Sequence, residues 1–195
     1  VLSEISWPRF TLSQDRRRAA IVREGPRAPR AVWRVDFSGG RGVKRPMAIC
    51  KQLTRPVMNP REYALGDQER VRWKSRDGWT IHGVLVKPFG YKKGRRYPTI
   101  VSVHGGPTSL VGNGFLVSSH SNNGIWGQAL ASRGYAVFFP NFRGSTGFGL
   151  KFAEANVGDM GGKDFEDIDS GVDALIERGI ADPKRLGIGG WSYGG

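Results

Sequence analysis

The sequence predicts an α/β protein, a mostly parallel sheet with helices on both faces, preceded by the closing part of a β-propeller. Three observations predict it. Short strand patterns separated by turn residues fill residues 1–54. Beyond residue 70, β-branched apolar runs such as Thr99–Val103 alternate with stretches of helical period such as Phe165–Ile176. Between them, 55–70 is polar and Pro-broken, with Pro56 and Pro60 flanking Asn59, and has the composition of a linker.

In the first part, strands are expected at Phe10–Leu12, Ala19–Arg23, Ala31–Phe37 and Met47–Leu53, with Ser13-Gln14-Asp15 and Gly39-Gly40 as turns. Four such strands make about one propeller blade. A single blade cannot bury its own faces, so its neighbours are expected upstream of Val1. In the second part, 71–195, Val71–Trp73 and Thr80–Val86 alternate around the Asp77-Gly78 turn and predict an edge hairpin. Thr99–Val103 reads as a fully buried strand. Gly124–Arg133 is expected to be helical, with Ile125, Ala129 and Leu130 on one side and Gly134 as its left-handed stop. Tyr135–Phe139 is the next buried strand, ended by Pro140. Phe165, Ile168, Val172, Leu175 and Ile176 form a helical stripe, with Asp164, Glu166 and Asp167 in the first turn, where acids suit the dipole. Leu186–Ile188 is expected to be a short buried strand running into Gly190.

Composition narrows the function classes. No run of eighteen apolar residues occurs in the 195, so no membrane-spanning helix is expected, and no membrane partner with it. Cys50 is the single cysteine, which excludes an internal disulfide and a cysteine-based zinc site. The net charge of +13 is confined to the first half: residues 1–97 carry 23 Lys and Arg against 8 Asp and Glu. No phosphate loop or nucleic-acid motif accompanies this excess, so it reads as solvated faces and no nucleic-acid partner is expected. Neither composition nor the residues at Val1 assign a compartment.

Gly190-Trp191-Ser192-Tyr193-Gly194 fits G-x-S-x-G directly after an expected strand. A serine presented on a sharp strand-to-helix turn needs strained backbone angles, and side chains at Gly190 and Gly194 would collide with the strand or the following helix. The pentapeptide alone is also an ordinary Gly-rich turn. Its position matches the α/β-hydrolase plan, which makes Ser192 the candidate nucleophile. His104-Gly105-Gly106-Pro107 follows Thr99–Val103, where that plan places an oxyanion donor; by itself it would be a tight turn. The candidate donors are the main-chain N–H groups of Gly106 and Tyr193.

His104 does not suit the role of base. In this plan the order is serine, acid, histidine, whereas His82, His104 and His120 all precede Ser192. His104 is expected instead to hold the oxyanion loop through its ring, with Gly105 beside it. Only Tyr193, Gly194 and Gly195 follow the serine, so the acid and base are expected further along the parent protein, and the segment alone is expected to be inert. Asn141–Gly149 is a glycine-rich loop whose spacing fits no nucleotide fingerprint; Arg143 is expected to pair with an acid or carbonyl and hold it.

Together these residues resemble the prolyl oligopeptidase family of serine peptidases, in its acylaminoacyl-peptidase and dipeptidyl-peptidase branches. The resemblance rests on His104 to Pro107, Gly134-Tyr135, Asn141 to Gly147, Asp182 to Arg185 and Gly190 to Gly195. Met160 departs from it, standing where a bulkier tryptophan is expected. The resemblance implies a partial α/β-hydrolase fold capped by a propeller, acyl-enzyme hydrolysis of short peptides through Ser192, and no metal or organic cofactor. A carboxylesterase or lipase of the same fold, or a non-catalytic binding protein derived from it, shares the elbow.

Overall fold

The computed structural model describes residues 10–38, 47–115 and 125–195. The chain divides into two compact units, Val1–Tyr63 and Ala64–Gly195. The Gly39-Gly40 turn, His120 and Gly124 lie outside the described residues.

The first unit is an antiparallel meander in sequence order: β1 (Phe10–Leu12), β2 (Arg18–Gly25), β3 (Ala28–Ser38) and β4 (Met47–Gln52). The Ser13–Asp15 segment turns because side chains replace main-chain partners. Ser13 Oγ accepts from the Arg18 N–H at 3.0 Å, and Asp15 Oδ1 from the Arg17 N–H at 3.0 Å. Ala19, Ile21 and Val35 form a small core, with Trp33 and Cys50 packed against it.

The second unit is built on a five-stranded sheet of order β5-β6-β8-β7-β9, from β5 (Gln68–Lys74), β6 (Thr80–Val86), β7 (Tyr97–Val103), β8 (Ala136–Asn141) and β9 (Ala181–Gly190). Its helices are α1 (Ile125–Ala131), α2 (Leu150–Ala153) and α3 (Lys163–Glu177). The sheet is mixed where the strand pattern predicts a mostly parallel one: β7 pairs in parallel with β8 and β9, while β5–β6 and β6–β8 are antiparallel. The cause is connectivity. Helical crossovers join β7 to β8 and β8 to β9, whereas the Asp77-Gly78 hairpin joins β5 to β6 and 87–96, without a helix, reverses the chain between β6 and β7.

Side-chain alternation divides the core between the two faces. Ile81, Leu85 and Phe138 pack with Ile168 and Leu175 of α3, whereas Val84, Val86, Val137 and Phe139 pack with Ala131 of α1. Gly171 lets α3 approach, since a Cβ there would lie 2.8 Å from the Trp73 ring. Trp73 Nε1 donates to the Asp167 carbonyl at 2.8 Å and locks the contact. Gly134, at φ 90°, ends the turn after α1 as its position predicts.

Three expectations fail for physical reasons. Pro140 does not end its strand; it lies within β8, opposite Gly83 of β6. The β7 ladder runs only as far as Phe138 of β8, so the missing N–H falls where β8 has a neighbour on one side. The elbow strand is not buried: Leu186 and Ile188 are 43% and 64% exposed, and Ile188 faces an open cleft beside α3. Phe165 is exposed, while Asp164 and Asp167 are buried in its place. Polar partners from the neighbouring loops hold these acids, and the buried face of α3 includes them.

Candidate active site

The carboxyl ends of β7, β8 and β9 bring three loops together, the usual place for a site in an open α/β sheet. β9 ends at Gly190, Trp191 is extended at φ −138° and ψ 142°, and Ser192 turns to φ 58°. Ser192–Gly194 then forms one 3-10 turn. A positive φ at serine costs on the order of 1–3 kcal/mol and persists only where its surroundings enforce it. Close packing enforces it here. A Cβ on Gly190 would stand 2.0 Å from the Gly194 carbonyl oxygen, and one on Gly194 would stand 2.3 Å from that of Val103. No side chain fits either position.

Val103, the last residue of β7, pairs with Gly190, so the loop after β7 starts beside the elbow. A Cβ on Gly105 would lie 3.2 Å from Ser192 Cβ, 3.8 Å from its Oγ and 2.8 Å from the Trp191 carbonyl oxygen. Gly106 adopts φ 132°, which side chains rarely reach, and its added Cβ would meet the Thr108 nitrogen at 2.6 Å. The structure therefore brings Gly105, Gly190, Ser192 and Gly194 into contact, with Gly106 and Tyr193 next in chain to these residues.

His104 is buried below them. Its Nδ1 lies 2.9 Å from the Gly105 carbonyl, which can only accept, so Nδ1 carries the proton; Nε2 then accepts from Ser145 Oγ at 2.9 Å. Burial pushes the His104 pKa below 6.5, only partly opposed by the Gly105 bond. An unfolded His104 thus takes up a proton more readily than the folded one, and stability rises with pH across the interval below 6.5. Unfolding midpoints are expected to fall as pH drops below 6.5, with a shallower slope in His104→Gln. His82, half-buried on β6 and stacked on Phe148 at 5.0 Å, is shifted the same way, by burial and then Arg72, so part of the slope remains.

The loop after β8 is laced to the loop after β7. Asn141 Oδ1 accepts from the Val111 N–H at 2.8 Å, its Nδ2 donates to the Val111 carbonyl at 3.0 Å, and the Thr146 N–H donates to the Ser109 carbonyl at 2.9 Å. Arg143 holds this loop by an acid, as its sequence position suggests. Its Nε donates to Asp167 Oδ2 at 2.9 Å, its Nη2 to Asp167 Oδ1 at 2.6 Å, its Nη1 to Asp77, and its guanidinium lies 5.1 Å from the Trp79 ring centroid. Burial disfavours the charge, but the bonds to Asp167 and Asp77 outweigh it and raise the Arg143 pKa above its ordinary value.

Several contacts here escape sequence reasoning. Tyr193 donates its hydroxyl hydrogen to Asp164 and accepts from Asn156 Nδ2 at 3.2 Å. Its ring stacks on Phe142 at 6.0 Å, and Phe142 stacks on His104 at 4.5 Å, a column joining all three loops. In sequence Asp164 and Asp167 read as dipole acids; their spacing with Ile168, Gly171 and Leu175 marks the buried face of α3. A cleft of about 600 Å³ opens beside the elbow, lined by Phe142, Met160, Asp164, Phe165, Ile188 and Tyr193 among others. Among the described residues no three His, Cys, Asp or Glu side chains converge as metal ligands would.

Residues 125–195 match the model of the prolyl oligopeptidase family. The peptidase YuxL of Bacillus subtilis is 39% identical over 136 residues, covering 69% of this chain and 20% of that protein. Dipeptidyl aminopeptidase BIII of Pseudoxanthomonas mexicana is 31% identical over 191 residues, covering 95% of this chain and 25% of that protein. The acylaminoacyl peptidase of Pyrococcus horikoshii superposes with a TM-score of 0.72 at 28% identity, over 95% of this chain and 27% of its own. The chain therefore spans about a quarter or less of the length of these curated relatives. With the elbow, the loop after β7 and the loop after β8 in place, the chain belongs to the prolyl oligopeptidase family of peptidases.

Proposed function

We propose that the protein carrying this chain is a serine peptidase that cleaves short peptides by acyl transfer through Ser192. The observation that carries the reading is Ser192 at φ 58°, beside Gly105, where an added Cβ would lie 3.2 Å from Ser192 Cβ. In this reading Ser192 Oγ bonds to the scissile carbonyl carbon and gives its proton to a base, which passes it to the leaving amine. Water then releases the acyl group. The Gly106 and Tyr193 N–H groups face the oxyanion, Gly190 and Gly194 permit the elbow, and His104, Gly105 and Arg143 hold the loops. In this reading the base, and the acid that orients it, are groups other than His104, whose ring nitrogens are bonded to Gly105 and Ser145. Residues 1–54 act as one blade of a propeller joined through 55–70 to the peptidase part, a reading supported by the four-stranded meander.

The test is covalent labelling of the full-length protein with a fluorophosphonate probe. Labelling is expected on the wild type and absent from Ser192→Ala. Labelling that survives the substitution overturns the assignment.

A further inference from the structure

We propose that Asp164 and Asn156 are positioning residues for the oxyanion hole, acting through the Tyr193 hydroxyl to fix the main-chain N–H of Tyr193. This rests on Ser192 being the nucleophile. The strained φ of 58° at Ser192 must be enforced from the C-terminal side of the serine as well as from the N-terminal side. Gly190 and Gly194 supply steric limits on the elbow. A steric limit forbids conformations; it does not choose the orientation of the peptide plane between residues 192 and 193. The Gly195 N–H, which donates to the Ser192 carbonyl at 3.0 Å, holds that plane on its carbonyl side, and the Tyr193 side chain holds it on the other, because a residue held at its ring and at its hydroxyl has little freedom left at its own N–H.

Both holds are built into the core. Asp164 and Asn156 are each 2% exposed. Asp164 uses its second oxygen on the Phe165 N–H at 2.8 Å, so its carboxylate cannot swing away. Asn156 is confined by Gly144, where an added Cβ would lie 2.7 Å from Asn156 Nδ2. Hydrogen-bond polarity is consistent: Asn156 donates to the hydroxyl, which donates to Asp164. Burial, then the Asp164 bond, raises the Tyr193 pKa above 10, so the hydroxyl keeps the proton it donates. The three groups come from the segment after α2, the first turn of α3 and the elbow. The geometry of the hole is thereby referred to a rigid element rather than to a loop.

The experiment compares Asp164→Asn, Tyr193→Phe and the double variant with wild type in the full-length protein, using p-nitrophenyl acetate and a fluorophosphonate. An oxyanion donor is worth about 100- to 1000-fold in kcat, and a partly misdirected one should lose about 10- to 100-fold. Each single variant is expected to lower kcat and the labelling rate by that amount, with KM within about twofold and a full burst amplitude, since the burst counts competent sites. The double variant is expected to be no slower than Tyr193→Phe, because both remove one contact. Rates within twofold of wild type in folded single variants overturn the proposal, as does a fall in burst amplitude that accounts for the lost rate. If Asp164→Asn does not fold, Asn156→Ser, which leaves the acid in place, carries the same readouts. Activity or labelling retained in Ser192→Ala defeats the nucleophile assignment itself, separately from these outcomes.

Discussion

Ser192→Ala is expected to lower the hydrolytic rate of the parent protein by about four to six orders of magnitude, or about 5–8 kcal/mol of transition-state stabilisation. The effect is large because in the proposed function Ser192 Oγ forms the acyl bond, and among the described residues no other serine shares its position at the end of β9. The control is His104→Gln. With Nδ1 committed to the Gly105 carbonyl and Nε2 to Ser145, His104 has no ring nitrogen directed at the serine. Its replacement is expected to reduce the rate by no more than about 100-fold, by loosening the loop. A loss in His104→Gln equal to that in Ser192→Ala, measured as kcat/KM on one peptide substrate, would make His104 the base and refute its supporting role.

Arg143→Leu is expected to cost about 3–5 kcal/mol of stability, read as a large fall in the urea midpoint of the unit containing it. The side chain of Arg143 is 3% exposed and that of Asp167 is fully buried, so removing the guanidinium strands a carboxylate in the core. Trp79 also loses one of two cations at its ring, Lys151 remaining 5.5 Å from the centroid, a smaller effect. The double variant Arg143→Leu with Asp167→Leu should recover part of the loss, since it removes the stranded charge as well. If the single variant unfolds at the wild-type midpoint, the pair does not hold the loop. Asp77 adds a pH signature: burial raises its pKa, but its bonds to Arg143 and the Trp79 N–H more than reverse this and hold it below 3.8. Its contribution is therefore present above pH 3.8 and lost as pH falls below that value.

The elements were legible wherever a local rule defines them. The α3 stripe at Ile168, Val172, Leu175 and Ile176, the Gly134 stop and the Asp77-Gly78 hairpin each depend on residues within a few positions of one another. The elbow was legible for the same reason: a serine at positive φ requires glycine at fixed offsets, and Gly190 and Gly194 occupy them. The strand order, the exposure of β9 and the place of Pro140 inside β8 were not, because each depends on which distant segment lies alongside.

The site divides along the same line. The glycine spacing marks the bend at Ser192 and the loop after β7 in the sequence, but the contacts that leave no room for a Cβ, Gly194 on the Val103 carbonyl and Gly105 on the Trp191 carbonyl, are made only in the folded sheet. The partners of His104, Arg143 and Tyr193 are decided only by the folded sheet, which brings Ser145 to His104 across 41 residues and Asp77 to Arg143 across 66. An acid near the start of a helix looks the same in sequence whether it faces water or, as Asp167 does, a buried guanidinium. The choice is made by the desolvation that tertiary packing imposes, and by whether a complementary charge arrives to offset it.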